Sequence, residues 1–214
     1  MSNAAAAPPP QRRFQRPVVF VCDIQEKFRD TIWNFDKILL TTTKVLRAAH
    51  LLALPVHVTT QNAARLGPTV PELATLLDPS APPPHQPGAR LFSSVDKTRF
   101  SMWVPDVIRR LDPSGPSEVI LVGIESHICV TQTALDLLAN GHRVYVLADG
   151  VSSANREEVG VALARLRAEG ATVTTSESVI YELMGDARAP EFRGVVGLVK
   201  DTLADTRKAL QALL

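Results

Sequence analysis

Short apolar, β-branched runs alternate about six times with segments of helical periodicity. That alternation predicts an α/β fold: a mostly parallel sheet with helices on both faces. The clearest runs, Val18–Cys22 and Glu118–Gly123, are nearly continuous in apolar residues, as strands buried on both faces require. Between the strands, apolar residues recur at helical spacing, as at Ile38, Val45, Leu46, Ala49 and Leu52. The 214 residues fit one domain. A chain of this size buries about 70% of its unfolded surface, so its core needs no disulfide or metal.

Each element has its own signal. Residues 1–16 read as a disordered N-terminal arm, because Ala4–Pro10 is low in complexity and Pro8–Pro10 favours extended geometry. The single domain then spans 17–214. Val18–Cys22 is the first strand, residues 37–53 the first helix, and Val56–Thr59 the second strand after Pro55. Residues 78–89 carry five prolines and read as loop. Leu91–Val95 is a short third strand and Trp103–Leu111 a helix. Glu118–Gly123 is the fourth strand. Residues 130–140 form a helix that stops at Asn140-Gly141. Arg143–Ala148 is the fifth strand, Glu157–Glu169 a helix closed by Gly170, and Ala171–Thr174 the sixth strand. Two helices, about 177–184 and 191–214, finish the chain.

Composition narrows the function. The 23 Lys+Arg and 22 Asp+Glu balance, which argues against a dedicated nucleic-acid binder. No apolar run approaches the ~18–20 residues of a membrane span. Two cysteines, Cys22 and Cys129, make no disulfide framework, which suits a reducing compartment such as the cytoplasm. The arm carries Arg12, Arg13 and Arg16 with no acidic residue, so mitochondrial import stays open, although its prolines oppose an amphipathic targeting helix. Val195, Val196, Leu198, Val199, Leu203, Leu210, Leu213 and Leu214 form an apolar surplus near the C-terminus, and a homo-oligomer is expected from it.

In an open parallel sheet, ligands bind beyond the carboxyl ends of the strands, where the strand order reverses. Asp23 follows the first strand directly. It is either a capping residue or a buried carboxylate, and a buried carboxylate needs a partner. After the fourth strand comes Gly123-Ile124-Glu125-Ser126-His127-Ile128-Cys129. Cys129 falls near a helix start, where backbone N–H groups and the dipole favour a thiolate and an oxyanion. A small core residue is the other reading. It suits Cys22, which sits inside an apolar strand, better than Cys129. Lys97 taken alone reads as a solvated side chain. His127 lies two residues before Cys129, a spacing that rarely makes a Cys–His pair. No metal-ligand spacing and no phosphate-binding glycine motif is present.

Asp23 after a first strand, Lys97 within K-T-R-F-S, and G-I-E-S-H-I-C-V followed by Thr133 and Ala134 together resemble the isochorismatase-like cysteine hydrolases. Gln25, Phe28, L-G-P-T at 66–69 and V-P-E-L at 70–73 are most similar to the eukaryotic isochorismatase-domain-containing proteins of types one and two. The resemblance runs from about Pro17 to Lys200. It implies a Rossmann-like three-layer αβα fold with six parallel strands in the order 3-2-1-4-5-6. It also implies a catalytic triad of Asp23, Lys97 and Cys129, a cis peptide at Ile124–Glu125, and backbone oxyanion donors at Glu125 and Cys129. Asp23 would accept the thiol proton and return it to a leaving amine. By position, Phe28, Gln61 and Phe100 are expected to contact a small-molecule substrate.

Two departures refine the expectation. Nicotinamidases carry metal-binding Asp and His residues after strand two, whereas Thr59–Arg65 holds no His, so no metal and no cofactor is expected. True isochorismatases lack the cysteine and cleave a vinyl ether, so Cys129 points instead to an amide or related C–N bond. Two other readings remain: a binding or scaffold protein that keeps the pocket, and a mitochondrial-associated ribonuclease. A chain with 5% aromatics and no basic excess does not support RNA binding.

Overall fold

The computed structural model describes residues 13–78 and 90–214. Six strands form one parallel sheet in the order β3-β2-β1-β4-β5-β6. They are β1 (Pro17–Cys22), β2 (Pro55–Gln61), β3 (Arg90–Lys97), β4 (Glu118–Ile124), β5 (Arg143–Ser152) and β6 (Thr172–Thr174). Strand order reverses between β1 and β4, which are in register from Pro17 opposite Glu118 to Cys22 opposite Gly123. This is the expected fold, and it makes Asp23 and the segment after Ile124 neighbours.

Side chains alternate across each strand, so one sheet supplies two cores. Val19, Val21, Val56, Val58, Ile120 and Val122 face helices α1 (Phe35–Leu51), α7 (Ser176–Met184), α8 (Phe192–Asp201) and α9 (Leu203–Leu213). Val18, Phe20, Cys22, Val119 and Leu121 face α4 (Pro105–Ile108), α5 (Thr131–Ala139) and α6 (Arg156–Ala168). Backbones meet closely at the centre. A Cβ on Gly123, at φ +123°, would lie 2.1 Å from the Cys22 carbonyl oxygen, so this position requires glycine.

Several boundaries differ from expectation. Residues 14–16, assigned to the arm, pack on the domain: Phe14 is 4% exposed with its ring 4.7 Å from that of Tyr145, and the Gln15 and Arg16 N–H groups donate to Glu118. Residues 1–12, and residues 79–89 of the expected loop, lie outside the described residues. The helix expected over 103–111 is a single turn, because Val104 before Pro105 is extended. β5 runs past its expected end at Ala148 to Ser152; the Asp149 carboxylate is satisfied by the Ser176 N–H and hydroxyl at 2.8 and 2.6 Å.

The segment 191–214 is two helices. Thr202 separates them, its hydroxyl bonding back to the Leu198 carbonyl at 2.8 Å, a pattern that bends helices. Its apolar surplus is only partly internal: Val195, Leu198 and Leu213 are buried, Val196, Val199 and Leu210 half-buried, and Leu203 and Leu214 exposed. Short helices α2 (Ala63–Leu66) and α3 (Pro71–Leu77) were not expected.

Candidate active site

β1 ends by turning Asp23 into the left-handed region at φ 52°, a conformation that Asp tolerates better than most residues. The turn sends its carboxylate toward β2 and β3. Oδ1 accepts from the Thr59 hydroxyl at 2.8 Å, and Oδ2 accepts from Lys97 Nζ at 2.7 Å. Both partners of the ion pair are buried, at 1% and 2% side-chain exposure, so each offsets the other's desolvation. Lys97 ends β3, opposite Gln61 of β2, and its side chain crosses the end of β2 to reach β1.

Three more acceptors surround its ammonium: Gln61 Oε1 at 2.9 Å, the Phe100 carbonyl at 2.9 Å and the Arg99 carbonyl at 3.1 Å. Burial opposes the ammonium. The acidic groups of Cys22 and Asp23 outweigh that and raise the Lys97 pKa above its ordinary value.

Cys129 is in a five-residue π-type turn, Ser126–Val130, that runs directly into α5. Cys129 therefore lies two residues before α5, near the helix start. The Glu125 carbonyl accepts from the Ile128 and Val130 N–H groups, both at 3.1 Å, and the Ile124–Glu125 peptide is cis. Thr133 donates to the Cys129 carbonyl at 2.6 Å and accepts from the Met102 N–H at 2.9 Å, which fastens this turn to the segment after Lys97. Cys129 is 7% exposed and Cys22 is fully buried.

The two thiols lie on the same face of the sheet, within one core cluster. Cys22 Sγ also lies 3.6 Å from Asp23 Oδ2. Burial first, and then Cys129 and Asp23, push the Cys22 thiol pKa well above its ordinary value.

Lys97 thus joins Asp23 and Gln61 by direct contacts, Cys22 touches Asp23, and Cys129 shares the core of Cys22. Phe100 contributes its carbonyl to Lys97, while its side chain is on a residue that is 50% exposed. Phe28 packs against the α1 side of the sheet, the core opposite to that of Cys129. The Glu125 carboxylate accepts from the Ala154 N–H at 2.8 Å. His127 bonds Ser153 at 2.9 Å, so its ring is committed to the end of β5 rather than paired with Cys129.

The sequence reading missed Thr59 and the supporting role of Gln25. Gln25 is fully buried; its Oε1 accepts from the Gln61 N–H at 2.6 Å and its Nε2 donates to the Gly67 carbonyl at 2.7 Å. The register Cys22 opposite Thr59 was the available signal for Thr59, and it needs strand pairing to be seen. Among the described residues, no three His, Cys, Asp or Glu side chains are grouped to share a metal ion. A cavity of about 640 Å³ opens at the other end of the sheet, lined by Phe14, Val18, Leu54, His57 and Leu111. It holds none of these groups.

A parallel sheet with a buried carboxylate, a lysine and a thiol gathered at its switch point defines a class of α/β proteins with a hydrolase-like centre. Within that class the chain belongs to the isochorismatase family: the isochorismatase domain matches residues 17–178. It is 43% identical over 188 residues to the secreted isochorismatase effector Isc1 of Phytophthora sojae, covering 87% of this chain and 85% of that protein. It is 42% identical over 191 residues to human isochorismatase domain-containing protein 2, covering 88% and 85%. Its fold matches a structure described as MAR1 ribonuclease from Caenorhabditis elegans, with a TM-score of 0.75, 36% identity and coverage of 89% and 93%.

Proposed function

We propose that this chain is a cysteine hydrolase of a small neutral substrate carrying an amide or related C–N bond. Cys129 attacks the carbonyl carbon, and Asp23 takes the thiol proton. The tetrahedral oxygen faces the backbone N–H groups of Glu125 and Cys129. As the C–N bond breaks, Asp23 returns the proton to the leaving amine, leaving an acyl group on sulfur. Water, deprotonated by Asp23, then attacks the thioester; the acid leaves and Cys129 recovers its proton. Lys97 balances the carboxylate charge without leaving its own acceptors.

The observation that carries this reading is the buried Asp23–Lys97 pair, held at the strand ends beside a thiol that still reaches the surface. A structural ion pair has no need of that position. The near-complete burial of Asp23 and Lys97 favours a small substrate, with Gln61 and Phe100 as its contacts.

The test combines labelling and turnover. Iodoacetamide at pH 7 labels Cys129 before Cys22. A panel of small primary amides contains a substrate whose hydrolysis falls by at least ~10² in Cys129→Ser and in Asp23→Asn, within the range general acid–base catalysis supplies. First label on Cys22, or turnover that survives Cys129→Ser, overturns the mechanism. Hydrolysis of RNA in place of amides, falling steeply with added salt, replaces it with the ribonuclease reading.

A further inference from the structure

The proposed mechanism uses one of the two cysteines and leaves the other unexplained. Cys22 is not simply core packing. It is the last residue of β1, opposite Gly123 of the strand that leads into the Cys129 turn; it shares one core cluster with Cys129, and its sulfur lies 3.6 Å from the carboxylate oxygen that also holds Lys97. Both cysteines of a 214-residue chain therefore sit in the same core, at the ends of neighbouring strands.

We infer that Cys22 is the resolving partner of Cys129, so that hydrogen peroxide converts the site into a Cys22–Cys129 disulfide that is inactive and reversible by thiols. The inference rests on the reading of Cys129 as the reactive thiol. Access assigns the order of events. Cys129 is 7% exposed while Cys22 is fully buried, so an oxidant meets Cys129 first. The buried Cys22 thiol, raised in pKa, stays protonated and waits.

The chemistry balances. The Cys129 thiolate attacks peroxide and the O–O bond breaks. Sulfur is oxidised by two electrons to the sulfenic acid, and hydroxide leaves. Cys22 then passes its proton to Asp23, and its sulfur attacks the sulfenic sulfur. The S–S bond forms, the S–O bond breaks, and the departing hydroxide takes the proton from Asp23 and leaves as water. No group outside the cluster is needed apart from peroxide. The result protects the nucleophile, because a sulfenic acid without a neighbouring thiol is oxidised by a second peroxide to sulfinic acid, which thiols do not reverse.

The experiment treats the reduced full-length protein with equimolar hydrogen peroxide, blocks remaining thiols with iodoacetamide and maps peptides under non-reducing conditions. The expected product is one cross-linked peptide pair containing Cys22 and Cys129, two hydrogens lighter than the reduced peptides and released by dithiothreitol. In Cys22→Ala a second equivalent of hydrogen peroxide carries the sulfenic Cys129 on to sulfinic acid, which dithiothreitol does not recover. The wild-type map decides the matter even where Cys22→Ala folds poorly.

Wild-type protein that gains sulfinic or dimedone-trapped sulfenic Cys129 with no cross-link overturns the inference and leaves the hydrolase reading standing. Reduced protein whose Cys129 resists both iodoacetamide and peroxide overturns both.

Discussion

Lys44 and Lys97 both place an ammonium almost wholly out of solvent, each at 2% side-chain exposure, but they keep different company. Lys44 lies within α1 and donates to Glu177 of α7 at 3.2 Å and to Thr206 of α9 at 3.0 Å. Its carboxylate partner is itself 39% exposed. Lys97 ends a strand, and its carboxylate partner is 1% exposed, next to the Cys22 thiol. The first lysine fastens C-terminal helices to the sheet's α1 face. The second neutralises a charge that could not otherwise be buried at the switch point. A buried charge is thus no sign of chemistry by itself. Its place in the topology, and whether its partner could escape to water, separate the two roles.

The sharpest way to break this comparison is to remove each ammonium. Lys97→Met leaves Asp23 charged, buried and unpaired, a defect that costs about 3–5 kcal/mol in typical cores. It also abolishes amide turnover. Asp23→Leu combined with Lys97→Met recovers much of the stability and none of the turnover, because the pair is removed together. Urea unfolding of the two variants, followed by turnover assays, checks both halves. A Lys97→Met protein as stable as the parent would put Lys97 in the same category as Lys44.

How much of this was legible beforehand follows the range of the interactions. Strands such as Val18–Cys22 and helices such as Phe35–Leu51 are coded by local periodicity and could be read directly. The break at Thr202 could not, because the apolar spacing continues across it while the bend comes from one side-chain hydrogen bond. The site divides in the same way. Asp23 and Cys129 announce themselves by following strands. Lys97, judged by its neighbours in sequence, is a solvated lysine; only its likeness to a known family singled it out. Its partner is 74 residues away across an intervening strand, and no local pattern encodes that. Cys22 was assigned to the core, which its burial agrees with and its contacts outgrow.

A third buried titratable group sharpens the contrast, because it stays neutral. His57 on β2 is 1% exposed and bonds Ser93 through Nδ1 at 2.6 Å. Burial, aided by the nearby Arg110 charge, lowers its pKa from 6.5 to about 4. The unfolded chain therefore binds the proton more readily than the folded one. Stability is fully present above about pH 6.5 and falls as the pH drops toward 4, by up to about 3 kcal/mol at about 1.4 kcal/mol per pKa unit. Urea midpoints measured between pH 4 and 7 should show this slope. A His57→Gln variant should flatten it. An unchanged slope in that variant would assign the acid sensitivity elsewhere.

The smallest expected effect belongs to Lys44, and it is the one that tests the comparison from the other side. Lys44→Met preserves most of the side-chain volume and removes the charge. The abandoned Glu177 is 39% exposed, so it recovers hydration by a small rotation and does not remain a buried unpaired anion. Thr206, 8% exposed, loses one partner of its hydroxyl, a loss of about 1 kcal/mol for a typical neutral hydrogen bond. An apolar replacement in a buried pair often costs little or nothing net. The expected destabilisation is therefore about 1 kcal/mol or less, and turnover and Cys129 labelling stay at parental levels because no contact of Lys44 reaches Asp23 or either thiol. Equilibrium unfolding and iodoacetamide labelling of the same preparation check the two statements together. A loss comparable to that of Lys97→Met would show that Glu177 cannot reach water. Slowed labelling of Cys129 would show that the helices held by Lys44 also set the geometry at the strand ends, and the two lysines would then belong to one system.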